Sequence, residues 1–141
     1  MKKTVNLTPF LLFNGNCADA MFFYQQCLGG ELSITKVGDT PMKMQMPETL
    51  HKRVAYAQLK SNAIEFSATD WAHPTRKFQQ GNTVAMYVTG AAYEELKEIF
   101  DKLSEGADKS LLDELKNLPF GIYGHLADKF GVHWFFVGNK K

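Results

Sequence analysis

Slid against itself, the chain repeats its design after 75 positions, and this repeat limits the folds open to it. Residues 8–15, Thr8-Pro9-Phe10-Leu11-Leu12-Phe13-Asn14-Gly15, are an apolar strand ending in a turn, followed by a helical stretch over 17–28. Residues 83–90, Thr83-Val84-Ala85-Met86-Tyr87-Val88-Thr89-Gly90, do the same ahead of a helical stretch over 92–103. Thr8, Gly15, Met21 and Leu28 thereby correspond to Thr83, Gly90, Leu96 and Leu103.

Each helix is supported locally. In the first, Asn16 stands at the N-cap, Asp19 lies in the first turn, Met21, Tyr24 and Leu28 share a face, and Gly29-Gly30 ends it. In the second, Leu96, Ile99, Phe100 and Leu103 make the apolar stripe, Glu94, Glu95, Lys97, Glu98, Asp101 and Lys102 the wet face, and Gly106 the stop. Strands follow each helix. Residues 31–37, 54–60 and 63–69 are strands of the first half, the last two joined through Ser61-Asn62, with a long loop over 38–53. In the second half 123–128 and 132–138 form a hairpin around Lys129-Phe130-Gly131. Residues 108–118 suit a helical turn or a strand, and the repeat assigns a strand. The order is strand, helix, three strands, performed twice. A unit this small does not cover its own sheet, so two are expected to pair their sheets around a shared interior.

Composition excludes several classes. Lys plus Arg number 16 against 15 for Asp plus Glu, and a net charge of +1 leaves no footprint for nucleic acid. Apolar runs such as 9–13 and 20–24 fall far short of the roughly 20 residues of a membrane span. Met1-Lys2-Lys3 imitates a secretory start, but Pro9 and Asn14-Gly15-Asn16 follow without a cleavage pattern, so the chain reads as mature and cytoplasmic, and the sequon Asn6-Leu7-Thr8 carries no meaning. Cys17 and Cys27 on one helix would sit roughly 15 Å apart, beyond disulfide reach, and lack Cys-x-x-Cys spacing.

The run 9–24, Pro9-Phe10-Leu11-Leu12-Phe13-Asn14-Gly15-Asn16-Cys17-Ala18-Asp19-Ala20-Met21-Phe22-Phe23-Tyr24, then Leu28-Gly29-Gly30-Glu31, resembles the opening of the PhnB-like branch of the vicinal oxygen chelate superfamily. Gly121-x-Tyr123-Gly124-x-Leu126-x-Asp128-Lys129-Phe130-Gly131-Val132-x-Trp134 resembles that branch's closing hairpin, and Ala57-x-Leu59, Asp70 and Phe78-x-x-Gly81 add to the likeness. The resemblance implies an α+β fold: one domain over 1–141 made of two βαβββ modules, 4–70 and 81–139, whose curved mixed sheets pair around a central cleft as in glyoxalases, bleomycin-resistance proteins and extradiol dioxygenases. It also implies a homodimer, with the modules paired within a chain or swapped across the dimer.

Superfamily enzymes hold a divalent metal with one ligand from each of four strands. Laid on this chain, those positions are Thr8, Glu65, Thr83 and Phe135. Only Glu65 is a ligand of normal strength, since zinc, nickel and iron sites want imidazole, thiolate or carboxylate. No metal or other cofactor is therefore assigned. Members of the branch also carry a demethylubiquinone methyltransferase label, yet the chain has no Gly-x-Gly-x-x-Gly turn and no room for a doubly wound domain beside its repeats.

Strand alternation then selects the cleft residues. With Thr8 inward, Phe10 follows on the first strand, Glu65 and Ser67 on the fourth, Thr83 and Tyr87 on the fifth, and His133 and Phe135 on the eighth. Tyr123 and His125 share a face placed inward, while Tyr56 and Gln58 stand on one face of the third strand with the inward side left open. A carboxylate at Glu65 in an apolar cleft would have its charged form disfavoured, which suits a general base; the plainer alternative is a solvated Glu65 between core-facing Ile64 and Phe66. His125 and His133 are further acid–base candidates or structural residues. Trp71 is a lid or a cap on the core edge, Trp134 and Phe136 pack on the helix, and Met42, Met44 and Met46 form a flap or dimer contact rather than a copper site. Two functions stand: binding of a small organic ligand without a metal centre, or a metal-dependent lyase, isomerase or dioxygenase with Glu65 as base or ligand.

Overall fold

The computed structural model describes residues 5–73 and 75–139, so Met1-Lys2-Lys3 and the first position of the module drawn at 4–70 lie outside the described residues. The chain forms two compact units, Met1–Phe78 and Gln79–Lys141, divided within the connection between the repeats.

The first unit contains β1 (Phe10–Phe13), α1 (Cys17–Leu28), β2 (Glu31–Lys36), β3 (Val54–Lys60) and β4 (Glu65–Asp70). Its sheet runs β1-β4-β3-β2, with β1 parallel to β4 and the other pairs antiparallel. Alternation divides the sheet into two faces. Phe13, Ala57, Leu59, Phe66 and Ala68 are buried on the α1 side, where Tyr24 meets Phe66 edge-on at 6.0 Å. Phe10, Leu12, Tyr56, Gln58, Glu65 and Ser67 stand on the other face. The helix buries Cys17, Ala20, Met21, Phe23, Tyr24 and Cys27. Both cysteines are free, and burial, reinforced by the Asp70 carboxylate, pushes the Cys17 thiol up to about 12, far from a reactive thiolate.

Three local expectations are corrected. β1 starts at Phe10 rather than Thr8: Pro9 has no N–H to give a ladder, although its carbonyl still accepts from Ser67 N at 3.0 Å. Asn16 occupies the N-cap but its side chain makes no capping bond. Instead the buried Asp70 Oδ1 accepts from Gly15 N at 2.8 Å and Cys17 N at 3.0 Å, while its Oδ2 accepts from Val54 N at 2.9 Å. One carboxylate thus ties the start of α1 to the start of β3. The loop over 38–53 is not featureless either, since 3-10 turns occupy Val37–Asp39, Pro41–Gln45 and Glu48–Leu50. After α1, Gly30 turns the chain at φ +99, where an added Cβ would lie 2.9 Å from the Lys60 carbonyl oxygen.

The second unit contains β5 (Met86–Gly90), α2 (Tyr93–Leu103), β6 (Asp113–Leu118), β7 (Gly121–Ala127) and β8 (His133–Gly138). Its sheet runs β5-β8-β7-β6, again with the first pair parallel. Leu96, Phe100 and Leu103 of α2 are buried, and Phe100 meets Phe136 edge-on at 5.1 Å. Trp134 and Phe136 are buried on this side, as their alternation requires. The fit is close: a Cβ on Gly124 would lie 2.9 Å from Leu115 Cδ1 and 3.0 Å from Phe100 Cε2. Asp128, also buried, accepts from Phe130 N, Val132 N and Trp134 Nε1 at 2.8, 3.1 and 2.8 Å, which closes the β7–β8 turn. Residues 108–118 turn out to hold both alternatives in sequence, a 3-10 turn at Lys109–Leu111 and then β6. Thr83 lies in a bend ahead of β5. The strand starts at Met86, opposite Trp134, and the residues just ahead of β8 are bent into a turn in which the Val132 carbonyl accepts from Asp128 N at 2.9 Å.

Among the described residues no helix is long and apolar enough to cross a membrane.

Candidate functional site

On the second sheet, cross-strand pairing sets Tyr87 beside Phe135 and Phe135 beside His125, all on the face away from α2. His133 is two residues before Phe135 and Tyr123 two before His125, so period-two alternation adds both to that face. The contacts follow. His125 Nε2 and His133 Nδ1 are hydrogen-bonded at 3.0 Å, their rings stacked at 5.1 Å. The Phe135 ring lies 4.5 Å from His125 and 6.4 Å from Tyr123. Asp113, paired with His125 across β6–β7, holds its Oδ2 3.9 Å from His125 Nδ1. Tyr87 is open, with 67% of its surface exposed.

The electrostatics follow from this crowding. Partial burial disfavours the charged imidazole of His125, and a charged His133 would repel it, so its pKa falls below the usual histidine value; Asp113 and a hydrogen bond with the Leu111 backbone oppose the shift. His125 is thereby biased toward its uncharged form, and one ring of the pair donates to the other.

The open face of the first sheet is different. Tyr56 and Ser67 share a hydrogen bond of 3.0 Å between their hydroxyls, with Ser67 only 5% exposed, and Phe10 pairs across the strand with Ser67. This settles the open assignment on β3: Tyr56 and Gln58 lie with Ser67 and Glu65. Glu65 is exposed, its carboxylate accepting from Gln58 Nε2 at 3.4 Å. This is the solvated alternative rather than the desolvated base: Glu65 sits at the first position of β4 with Lys60 as its cross-strand partner.

The four positions suggested for a metal do not make a donor set. Thr8 and Thr83 precede their strands and are exposed, and Phe135 is committed to ring contacts. Glu65 alone has the right chemistry, so the residues present do not fit a four-strand metal centre. Among the described residues no three His, Cys, Asp or Glu side chains converge as metal ligands. Trp71 has a specific local task. Its Nε1 donates to the Arg76 carbonyl at 2.6 Å, its ring meets Phe78 edge-on at 6.5 Å, and its carbonyl accepts from Arg53 Nη1 at 2.7 Å. It thus fastens the segment that follows β4. Met42 and Met44 are exposed, while His51 Nε2 bonds the carbonyls of Lys43 and Met46 at 3.0 and 3.2 Å and braces their turn.

Sequence reasoning placed Tyr123, His125, His133 and Phe135 on one face, and the structure brings them together. It did not single out Asp113 or the Tyr56–Ser67 pair. For Asp113 the only available signal was the register of a strand whose limits were open.

A strand-helix-three-strand unit performed twice, each with a parallel outer pair, is the glyoxalase/bleomycin resistance fold. A glyoxalase/bleomycin resistance protein/dioxygenase from Nocardioides superposes with a TM-score of 0.56 at 14% identity, over 99% of this chain and 87% of that one. TnmS3, an antibiotic binding protein from a Streptomyces species, does so with a TM-score of 0.51 at 14% identity, over 99% and 100%. Within that fold, residues 5–137 match the family described as 3-demethylubiquinone-9 3-methyltransferase, and the chain belongs to that family. Protein YjdN of Escherichia coli K12 is 28% identical over 141 residues, 91% of each chain. Protein PA1353 of Pseudomonas aeruginosa superposes with a TM-score of 0.83 at 26% identity, covering 98% of this chain and 100% of that one. The PhnB protein of Bacillus cereus does so at 0.73 and 28%, covering 95% and 99%.

Proposed function

We propose that the protein binds a small, partly apolar organic molecule on the open face of its second sheet, without a four-strand metal centre. The observation that carries this reading is the contact set of Tyr123, His125, His133 and Phe135: two aromatic rings and a hydrogen-bonded imidazole pair on one hairpin. Apolar walls with a few placed polar groups are the usual make-up of a small-molecule site. An antibiotic binding protein of the same fold agrees with it. The family description names a methyl transfer; the two modules carry mixed four-stranded sheets rather than the doubly wound parallel sheet on which such cofactors bind, so no methyl-transfer step is drawn.

The test is a thermal-shift screen of small aromatic and aliphatic compounds on the wild-type protein and on Phe135→Ala. Compounds that raise the wild-type melting temperature and lose affinity for Phe135→Ala by about tenfold or more, the scale of one desolvated aromatic contact, support the reading. Hits indifferent to Phe135, or none from a broad library, overturn it. Metal analysis of protein purified without chelators separates the enzymatic alternative: stoichiometric nickel, zinc, manganese or iron that disappears in Glu65→Ala contradicts a metal-free site. The family resemblance also supports a homodimer, which sedimentation velocity checks directly.

A further inference from the structure

Two histidines whose ring nitrogens share one hydrogen bond are a peculiar pair of neighbours for an apolar ligand. In the uncharged pair one N–H is spent between the rings at 3.0 Å, His125 Nδ1 faces Asp113 and the Leu111 backbone, and the other outward nitrogen is His133 Nε2. An added proton changes this. One proton already lies between the rings, so the added one goes to the outward nitrogen that lacked a hydrogen, and both outward nitrogens of the pair then donate. The groups facing the pair can be enumerated by element. From β6 come Asp113, 3.9 Å from His125 Nδ1, and Lys116, the cross-strand partner of Tyr123. From β7 comes Tyr123, from β8 the Phe135 ring, from β5 Tyr87, the partner of Phe135, and from the turn Lys109–Leu111 the Leu111 backbone, with Lys109 itself exposed and the Asp108 carboxylate occupied by Ser110. Asp113 is the only carboxylate among them close to the pair, and at 3.9 Å it is too distant for a hydrogen bond. The proton therefore has no tight internal counter-charge, and a ligand is free to supply one.

We propose that the His125–His133 pair is a proton-gated anion subsite and that the ligand of this face is an aromatic acid, its ring against Tyr123 and Phe135 and its carboxylate on the protonated pair. This rests on the small-molecule reading above and adds the ligand class. The binding step is balanced: one ligand anion and one proton enter together, and the pair leaves as a singly charged dyad under the carboxylate. Burial and repulsion by a charged His133 hold His125 below the ordinary histidine value, which favours uptake of the proton with the ligand rather than before it.

The probes are 1-naphthoate and its neutral isostere 1-naphthamide, measured by calorimetry on the wild-type protein. The acid stays ionised across the range, so only the protein titrates. Between about pH 7.5 and about pH 5.5 naphthoate affinity is expected to rise by about tenfold or more, with about one proton taken up per ligand in buffers of differing ionisation heat, while the amide changes less than about twofold. In His125→Gln and His133→Gln the pH dependence is expected to vanish. Should either variant fold poorly, the imidazole resonances of the wild type decide: saturating naphthoate raises the shared midpoint of His125 and His133 by about one pH unit and leaves His51 and His73 unmoved. Acid and amide with equal pH dependence overturn the gate while leaving an aromatic-binding face in place. Naphthoate that fails to bind even at the acid end, or a midpoint that does not move, overturns the proposed ligand class, and the library screen then decides the broader reading alone.

Discussion

The two modules share a topology yet differ in where they place their polar groups. In the first, the buried acid Asp70 bridges segments that lie 55, 53 and 16 residues away from it and ties the helix start to the sheet. In the second, the buried acid Asp128 bonds positions 2, 4 and 6 residues on and closes a single turn. The helices differ in the same sense: α1 buries six of its residues and α2 three, with charges over the rest. The first module concentrates its polar chemistry in holding itself together. The second secures its hairpin locally and leaves its open face with an imidazole pair and three aromatic rings. The proposed site falls on the copy whose buried acid acts locally.

Removing the two acids sharpens that contrast most. Asp70→Ala strands three backbone N–H groups around the start of α1 and of β3, two of them in fully buried bonds, and is expected to cost about 3–4 kcal/mol in denaturant unfolding. Asp128→Ala leaves the Trp134 indole and two turn amides without their acceptor, and is expected to cost about 2–3 kcal/mol. If the two losses come in reverse order, the division of labour between the acids is wrong. Gly124→Ala pushes a methyl against Leu115 and Phe100 and is expected to cost about 1–3 kcal/mol while also disturbing the hairpin beneath the imidazole pair.

A pH effect comes next. His125 has a folded-state pKa below its unfolded value, so the unfolded chain binds more protons as the pH drops. Its contribution to stability is present above the unfolded pKa and is lost as pH falls through the window between the unfolded and the lower folded value. The wild type is therefore expected to lose stability below about pH 6.5 more steeply than His125→Gln, read from urea midpoints across the pH range. The smallest effect belongs to the exposed i,i+4 pair Lys97–Asp101 at 3.1 Å, where Lys97→Ala is expected to leave the melting temperature within error.

Much of this architecture is legible in residues alone, for physical reasons. The helix over 17–28 and the strand over 54–60 coincide with the structure because helix-face periodicity, glycines and alternation act over a few residues. The repeat begins at Thr8 and Thr83 and so predicts both on strands. A ladder, however, begins where both partners can pair, and Pro9 stands at that limit in one case and the turn ahead of β8 in the other. Asn16 read as a cap because local spacing cannot show an acid 53 residues from Cys17. The His125–His133 contact follows from the turn at Lys129-Phe130-Gly131. That turn fixes the register in which His125 faces Phe135 and Ala127 faces His133, so the two imidazoles become diagonal neighbours. Glu65 shows the opposite outcome: alternation gave its face correctly but carried no information about how much apolar surface surrounds it.

The most direct measurement is a chemical-shift map of the protein titrated with whichever screened compound binds most tightly. The account predicts that the largest shifts fall on Tyr123, His125, His133 and Phe135, with Tyr56 and Ser67 on the other sheet little affected. Shifts centred on Tyr56, Ser67 and Glu65, with the imidazole pair unmoved, would contradict it.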